Sequence, residues 1–300
     1  MAEHGRKASV SAAPKTMGSA RRSAARAPKT AAKTAASAAA APSAAVLIVA
    51  HNQAHRIAAT VRASRSIPGV DLVLVVDDGS LDNTQDLARK AGAVVVRQSH
   101  RRGRSASIET GAAVIAMRDE DGATPRAVLL LEAGLGASAS GAAPIVAAVV
   151  EQVADMAIAL VDGTSRSTGA SAGAARKAIA SLSGWSPMQP LSKVRCLTRE
   201  ALEAAFPLSR GAGLEAAVTL DVIEAGLTVT EVPCELKHRP TLRAGKALTR
   251  ASQYRDVMMV VSARRIRLSL RSTQHVVEDA FHVASRSGSV KVRRAKKGAE

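Results

Sequence analysis

The stretch Leu-Val-Leu-Val-Val-Asp-Asp-Gly-Ser-Leu-Asp-Asn-Thr, residues 72–84, decides the fold. Its first five residues form an unbroken apolar run that is rich in β-branched Val and too short for an ordinary helix. The run therefore predicts a buried strand of a parallel sheet. Asp82 and Gln85 have the spacing of a capping box, which predicts that a helix begins here. Asp77 and Asp78 are then expected at the carboxyl end of a parallel strand, where open α/β sheets bind ligands.

Two adjacent carboxylates at a buried strand end have two interpretations. Burying them is costly unless N–H donors or a cation meet them, so a ligand site is one interpretation. A helix-capping turn with solvated acids is the other. Asp-Asp-Gly-Ser is a short motif, and by itself it leaves both open.

Strand-like and helix-like segments alternate along the chain. The predicted strands are Ala45–Ala50, Leu72–Val76, Ala93–Arg97, Arg126–Leu131, Met156–Val161 and Leu227–Val232. Helical periodicity lies between most of them, whereas residues 162–184 predict a loop with one short helix. This alternation predicts an α/β fold with a doubly wound, mostly parallel sheet.

The basic charge of the chain is concentrated at its two ends. The net charge is +17; residues 1–44 hold eight Lys/Arg and one Glu, and residues 286–300 hold six Lys/Arg and one Glu. The ends therefore carry +7 and +5, which leaves +5 for the middle. Residues 1–44 lack a hydrophobic period and predict a disordered basic tail, and residues 271–300 predict a second one. The domain is expected over 45–270, with nonspecific nucleic-acid contact by the tails as one possible partner interaction.

Cysteine and aromatic content limit the class of protein further. Cys196 and Cys234 are isolated in sequence, which favours a reducing, cytoplasmic location over a disulfide framework. One Trp, one Tyr and two Phe leave almost no surface for stacking nucleic-acid bases. No apolar run approaches the roughly 18 residues that a membrane-spanning helix needs.

A set of motifs in one order resembles the family 2 glycosyltransferases. Val-Ala-His-Asn-Gln at 49–53 is similar to the family's Pro-x-x-Asn-Glu, Val-Val-Asp-Asp-Gly-Ser at 75–80 matches almost letter for letter, and Arg-Gly-Arg at 102–104 matches Arg-Gly-Lys. Gln-Pro-Leu-Ser at 189–192, Gly-x-Gly-x-Glu at 211–215 and His-Arg at 238–239 resemble the bacterial branch related to dolichyl-phosphate mannose synthases and glucosyl-3-phosphoglycerate synthases. The resemblance covers residues 45 to about 265 and implies the glycosyltransferase A fold, a Rossmann-like fold of nucleotide-diphospho-sugar transferases.

The resemblance implies a role for each motif residue. The predicted contacts of the nucleotide base and sugar are Ala50, Gln53, Asp77 and Asp78. Carboxylates suit this task because they accept hydrogen bonds from an imide N–H or from ribose hydroxyls. Arg104 is expected to face the diphosphate as a fixed cation, and Glu215 to orient the acceptor or act as a base. The alternatives are a solvated Arg104 and a Glu215 placed by the helix dipole.

The expected metal motif is incomplete. The family's Asp-x-Asp after the fourth strand, which binds Mg²⁺ or Mn²⁺, reads Glu132-Ala133-Gly134 in this chain. Glu132 and His238 are the predicted metal ligands, and a divalent metal with one protein carboxylate remains compatible with substrate phosphates. A Gly134→Asp substitution is expected to tighten metal binding. Lys193 stands where the family has a small residue.

The sequence thus predicts a glycosyltransferase that moves a sugar from a nucleotide-diphosphate donor to an unidentified acceptor. A catalytically inactive binding module with the same fold is the first alternative, because of Gly134. Nucleic-acid binding through the basic tails is the second. The segment Lys246–Leu270 predicts a basic helix that either lies on anionic lipid at the membrane periphery or packs on the domain by its apolar face.

Overall fold

The computed structural model describes residues 43–161, 167–237, 250–264 and 266–267. Its centre is a seven-stranded sheet in the order β3-β2-β1-β4-β6-β5-β7. The strands are β1 (Ala44–Ala50), β2 (Val70–Asp77), β3 (Val94–Arg97), β4 (Ala127–Glu132), β5 (Met156–Val161), β6 (Arg195–Leu197) and β7 (Val229–Cys234). Strand β6 is antiparallel to β4 and β5, and the other neighbours are parallel.

Helices cover both faces of this sheet. They are α1 (Ile57–Arg65), α2 (Thr84–Lys90), α3 (Arg104–Ala116), α4 (Ala143–Val150), α5 (Ala170–Ser183), α6 (Arg199–Ala204), α7 (Leu214–Glu224) and a last helix over 250–264, labelled α8. Short 3₁₀ turns occupy Gly136–Ala142 and Gly211–Gly213. The predicted α/β class with a doubly wound, mostly parallel sheet is confirmed.

The continuous apolar strands form two cores because alternate residues point to opposite faces of the sheet. Ile48 and Leu129 pack on one face with helices α1 and α4, in a core that includes Ile57 and Ile145. Their neighbours Leu47 and Leu130 pack on the other face with α3 and α7. Two-sided burial explains why β1, β2 and β4 read as apolar runs without alternation.

The chain beyond β5 differs most from its prediction. Residues 162–184 were expected to hold one short helix, whereas α5 alone spans 14 residues. Its Ala-rich sequence has high helix propensity, and Ala175 and Ile179 pack against α7 and α8. The three-residue strand β6 was not predicted, because a segment this short carries no detectable period.

The predicted capping box at the start of α2 is wrong in detail. The helix begins at Thr84 with Asn83 as its cap residue, which makes no side-chain capping bond. Asp82 instead accepts hydrogen bonds from the Thr84 and Ala54 backbone N–H groups, at 3.0 and 3.1 Å. Partial burial opposes ionisation of Asp82, but the bonds from Thr84 and Ala54 outweigh it and lower its pKa.

Helix α8 packs on the domain through an apolar side. Val257 and Val261 are buried against α5 and α7, and Arg264 forms a buried ion pair with Asp221 of α7. The described part of α8 therefore fits the packed alternative for this helix, and the ends of the predicted segment Lys246–Leu270 lie outside the described residues. The predicted tails over 1–44 and 271–300 lie almost wholly outside them too and stay predictions. None of the helices in the described ranges has the length and apolar content of a membrane span.

Candidate active site

Three neighbouring parallel strands end at the same edge of the sheet. In their registers, Ala50 of β1 lies beside Asp77 of β2, and Val49 lies beside Glu132 of β4. The predicted contacts Ala50, Asp77 and Glu132 therefore share the carboxyl edge, where open α/β sheets bind ligands.

Asp77 has one satisfied and one unsatisfied carboxylate oxygen. Its Oδ1 accepts a hydrogen bond from the Ser80 backbone N–H at 3.0 Å. Its Oδ2 is buried and accepts no hydrogen bond from the described residues, and the nearest cationic atom is Arg97 Nε at 3.9 Å. A buried acceptor without a donor is costly, so Oδ2 is suited to an N–H or O–H donor from a ligand.

Asp78 is used differently from its neighbour. Its carboxylate accepts the backbone N–H groups of Arg102, at 2.7 Å, and Gly103, at 3.1 Å. These bonds tie the end of β2 to the loop that enters α3. Asp78 is thus not the solvated acid of the capping-turn interpretation. Its predicted contact with a nucleotide stays a prediction.

The turn between Asp78 and Ser80 needs glycine. Gly79 has φ +70°, and a Cβ on it would lie 2.9 Å from the backbone of His100 and Arg101. Any side chain would push the loop away from the strand end and open the edge.

Gln53 lies beside the incomplete metal motif. Its backbone N–H donates to Thr84 Oγ1 at 2.8 Å, which places the loop after β1 against the start of α2. Its Oε1 is 3.7 Å from where a Cβ on Gly134 would stand. Arg56 donates to the Gly134 carbonyl oxygen at 2.9 Å. The structure therefore places Gln53 beside Gly134, two residues after the end of β4.

Arg104, at the start of α3, and Glu215, in the first turn of α7, form an ion pair. Arg104 Nε lies 3.3 Å from Glu215 Oε1, and the Glu215 side chain is 7% exposed. Arg104 also donates to the Lys193 carbonyl oxygen at 3.0 Å. Two residues that were predicted for separate roles, one toward the diphosphate and one toward the acceptor, thus lie in contact.

Arg195 in β6 supports this pair and was not singled out from the sequence. Its guanidinium is fully buried and donates to the carbonyl oxygens of Ser192, at 2.6 Å, and Glu215, at 3.0 Å. Burial lowers its pKa to about 10, while the nearby Glu215 carboxylate acts in the opposite direction. The available signal was a lone Arg within the apolar stretch Val194–Leu197.

The position of the incomplete metal motif holds an ion pair. Lys193 Nζ lies 3.0 Å from Glu132 Oε1. Gly134 supplies no side-chain oxygen, and His238 lies outside the described residues. No group of three His, Cys, Asp or Glu side chains in the described ranges is placed to hold a metal ion. Because its one carboxylate is paired with the Lys193 ammonium, the described donor set does not fit the predicted Mg²⁺ or Mn²⁺ site.

Comparison with known proteins bears on this edge directly. Residues 45–116, which contain Ala50, Gln53, both aspartates and Arg104, match the model of glycosyl transferase family 2. The family 2 resemblance predicted from the motifs is confirmed, and the match agrees with the predicted transferase class. No curated protein matches the chain.

Solved structures share the fold of this protein. Glucosyl-3-phosphoglycerate synthase from Mycobacterium tuberculosis, in complex with Mg²⁺ and UDP, is 21% identical with TM-score 0.59, over 74% of this chain and 79% of that one. The same enzyme with Mn²⁺, UDP-glucose and phosphoglyceric acid gives the same four values. A further mycobacterial protein is 22% identical with TM-score 0.59, over 74% of each chain. The likeness confirms the glycosyltransferase A fold.

Proposed function

We propose that this protein transfers a sugar from a nucleotide-diphosphate donor to an acceptor. The observation that carries the proposal is the family 2 match over 45–116, because it contains every predicted donor contact except those in the metal motif. Two of these residues, Ala50 and Asp77, lie side by side at one sheet edge, where the buried Asp77 Oδ2 lacks a hydrogen-bond donor within the described residues.

The edge offers complementary groups to a nucleotide. Asp77 Oδ2 accepts an N–H of the base or a hydroxyl of the ribose, and Ala50 and Gln53 line the neighbouring loop. Asp78 holds the Arg102–Gly103 backbone in place beneath them. Uridine diphosphate and UDP-glucose are the first ligands to test, since the similar structures contain them.

The leaving diphosphate requires positive charge in the transition state. Arg104 supplies a guanidinium that is three-quarters buried and fixed by Glu215 and by the Lys193 carbonyl oxygen. Glu215 remains the proposed acceptor-orienting residue or base, with its carboxylate held beside Arg104. Phosphoglyceric acid, which is bound in similar structures, is the first acceptor to try.

The test is a titration with uridine diphosphate, followed by measurement of UDP release from UDP-glucose with and without phosphoglyceric acid. We expect binding, and release that depends on the acceptor. An Asp77→Ala variant is expected to lose binding, whereas Asp121→Ala, at an exposed loop position, keeps it. A panel of nucleoside diphosphates that all fail to bind the folded protein would refute the proposal.

A catalytically inactive binding module is the second candidate. The observation that favours it is the Lys193–Glu132 ion pair at the position of the family's metal motif. Nucleotide binding with no release of UDP from any donor and acceptor tested would establish this candidate over the enzyme.

The predicted cytoplasmic location and peripheral contact with anionic membranes stay predictions. Nonspecific nucleic-acid contact by the tails also stays a prediction. The tails lie outside the described residues apart from residues 43 and 44. Co-sedimentation with neutral and anionic vesicles tests the membrane contact, and DNA binding by chains with and without the tails tests the other.

A further inference from the structure

Strand β6 determines which residue faces Glu132. It runs antiparallel to β4, with Leu130 beside Arg195. Glu132 lies two residues after Leu130 in β4, and Lys193 lies two residues before Arg195, so continuing the antiparallel register puts Lys193 opposite Glu132. The side chains meet there, with Nζ 3.0 Å from Oε1. The contact with Glu132, the last residue of β4, therefore places the ammonium at the carboxyl edge of the sheet.

The ammonium of Lys193 contacts Glu132 on one side and is accessible to solvent on the other. The Lys193 side chain is 52% exposed, whereas Glu132 is 18% exposed. An ammonium carries three N–H donors, so the contact with Glu132 does not exhaust them. Arg104 donates to the backbone carbonyl of the same lysine, which brings a second cation to this point. Two positive charges, the half-exposed Lys193 ammonium and the Arg104 guanidinium, thus lie near the carboxyl edge of the sheet.

We propose that the Lys193 ammonium supplies the positive charge that a divalent metal would otherwise bring to the nucleotide diphosphate. The inference rests on the proposed function. Glu132 orients the ammonium, and phosphate oxygens bind to it and to the Arg104 guanidinium. Binding of the diphosphate then needs no divalent metal.

The local charge favours the lysine over a metal ion. Glu132 is the single side-chain carboxylate of its motif, because Gly134 has none. A divalent cation bound to Glu132 would stand next to the ammonium, and like charges at such distances repel. A metal ion would have to displace Lys193 from Glu132 and then depend on water and phosphate for most of its ligands.

The test measures binding of uridine diphosphate and of uridine by calorimetry, in EDTA and in excess Mn²⁺. For the unmodified protein we expect uridine diphosphate affinity to change by less than about twofold between the two conditions. Lys193→Gln is expected to weaken uridine diphosphate binding by about 10- to 100-fold, the range for a lost hydrogen bond to a charged group, and to leave uridine binding unchanged. Lys193→Arg, which keeps the charge, is expected to retain most of the affinity.

Lys90→Gln is the matched control, since Lys90 is an exposed lysine at the end of α2. It is expected to bind like the unmodified protein. Binding that requires Mn²⁺ in the unmodified protein would overturn the inference while leaving the proposed function intact. Equal losses of uridine and uridine diphosphate affinity in Lys193→Gln would also overturn it. Failure of all nucleotides to bind would refute the proposed function instead.

Discussion

Arg104, the first residue of α3, and Glu215, the second residue of α7, meet with Nε and Oε1 3.3 Å apart. Each was predicted at the candidate site for a separate reason, but their charges are coupled. The pair also joins two helices that cover the same face of the sheet. A change at either residue therefore affects the packing of α3 on α7 as well as the charge at the site.

A double-mutant cycle with Arg104→Met and Glu215→Gln tests this coupling. Removing Glu215 leaves Arg104 without this counterion, whereas removing Arg104 leaves Glu215 with the buried Arg195 as its neighbouring cation. Each single change is expected to lower the free energy of unfolding by about 1–3 kcal/mol, less than for a fully buried pair because Arg104 is one-quarter exposed. The double variant is expected to lose less than the sum of the two. Urea unfolding of the four proteins measures the coupling, and strictly additive losses would contradict it.

Asp78→Ala is expected to destabilise the protein as well as weaken nucleotide binding. The sequence predicted that Asp78 contacts the nucleotide or is a solvated acid of a capping turn. The carboxylate is instead buried and accepts two backbone N–H groups of the loop before α3. Loss of a charged acceptor is expected to cost about 1.5–3 kcal/mol of unfolding free energy.

Asp121→Ala is the control for Asp78→Ala, because Asp121 lies in an exposed turn. It is expected to change the unfolding free energy by less than about 0.5 kcal/mol. Thermal and urea denaturation of both variants decide the matter. Equal stability of Asp78→Ala and the unmodified protein would mean that the Arg102–Gly103 loop does not depend on this carboxylate.

The sequence predicted which residues lie at the carboxyl edge of the sheet, but it did not predict which charged side chains pair there. Apolar runs such as residues 72–76 report burial on both faces of a sheet, and residues that follow them fall at the carboxyl edge without further information. Partners such as Lys193 and Glu132 depend on the antiparallel course of β6. That strand has three residues, too few to show a period, so nothing local in the sequence indicated which residue would face Glu132.

Both cysteines are expected to resist thiol reagents in the folded protein. Burial raises the pKa of Cys196 to about 12 and that of Cys234 to about 11. Reaction requires the thiolate, so both stay protonated as well as shielded at pH 7 to 9. Titration with a chromogenic disulfide is expected to show no labelling of the native protein and two thiols after unfolding. Rapid labelling of either cysteine at pH 8 would contradict the described packing of β6 and β7.

Arg264→Met is expected to destabilise the protein, because Arg264 forms a buried ion pair with Asp221. Removing the guanidinium leaves the buried Asp221 with Arg267, whose Nη1 lies 3.6 Å away, as its remaining counterion. This partial compensation reduces the expected loss to about 2–3 kcal/mol. Arg255→Met, at a side chain 72% exposed, is the control and is expected to change little. Equal melting temperatures would show that this ion pair contributes little to the stability of the protein.

The sequence predicted that Gly134→Asp would tighten metal binding. Because Lys193 is paired with Glu132, the substitution is instead expected to have no effect on metal binding while Lys193 is present. Gly134 does not have a positive φ, and a Cβ there would meet only Gln53 Oε1 at 3.7 Å, an ordinary contact, so the variant is expected to fold. In the single variant the ammonium still occupies Glu132, and the new carboxylate adds a second partner for it. In Gly134→Asp with Lys193→Ala, two carboxylates face the edge without a competing cation, and hard divalent ions favour such oxygen ligands. Only the double variant is therefore expected to bind uridine diphosphate more tightly in Mn²⁺ than in EDTA, by about tenfold or more if the metal restores one charge-assisted contact.

Calorimetric titration of the single and double variants in both conditions measures the difference. A metal effect of the same size in Gly134→Asp alone would show that Lys193 does not compete for Glu132, and the ion pair would then be a surface contact without a part in binding the diphosphate.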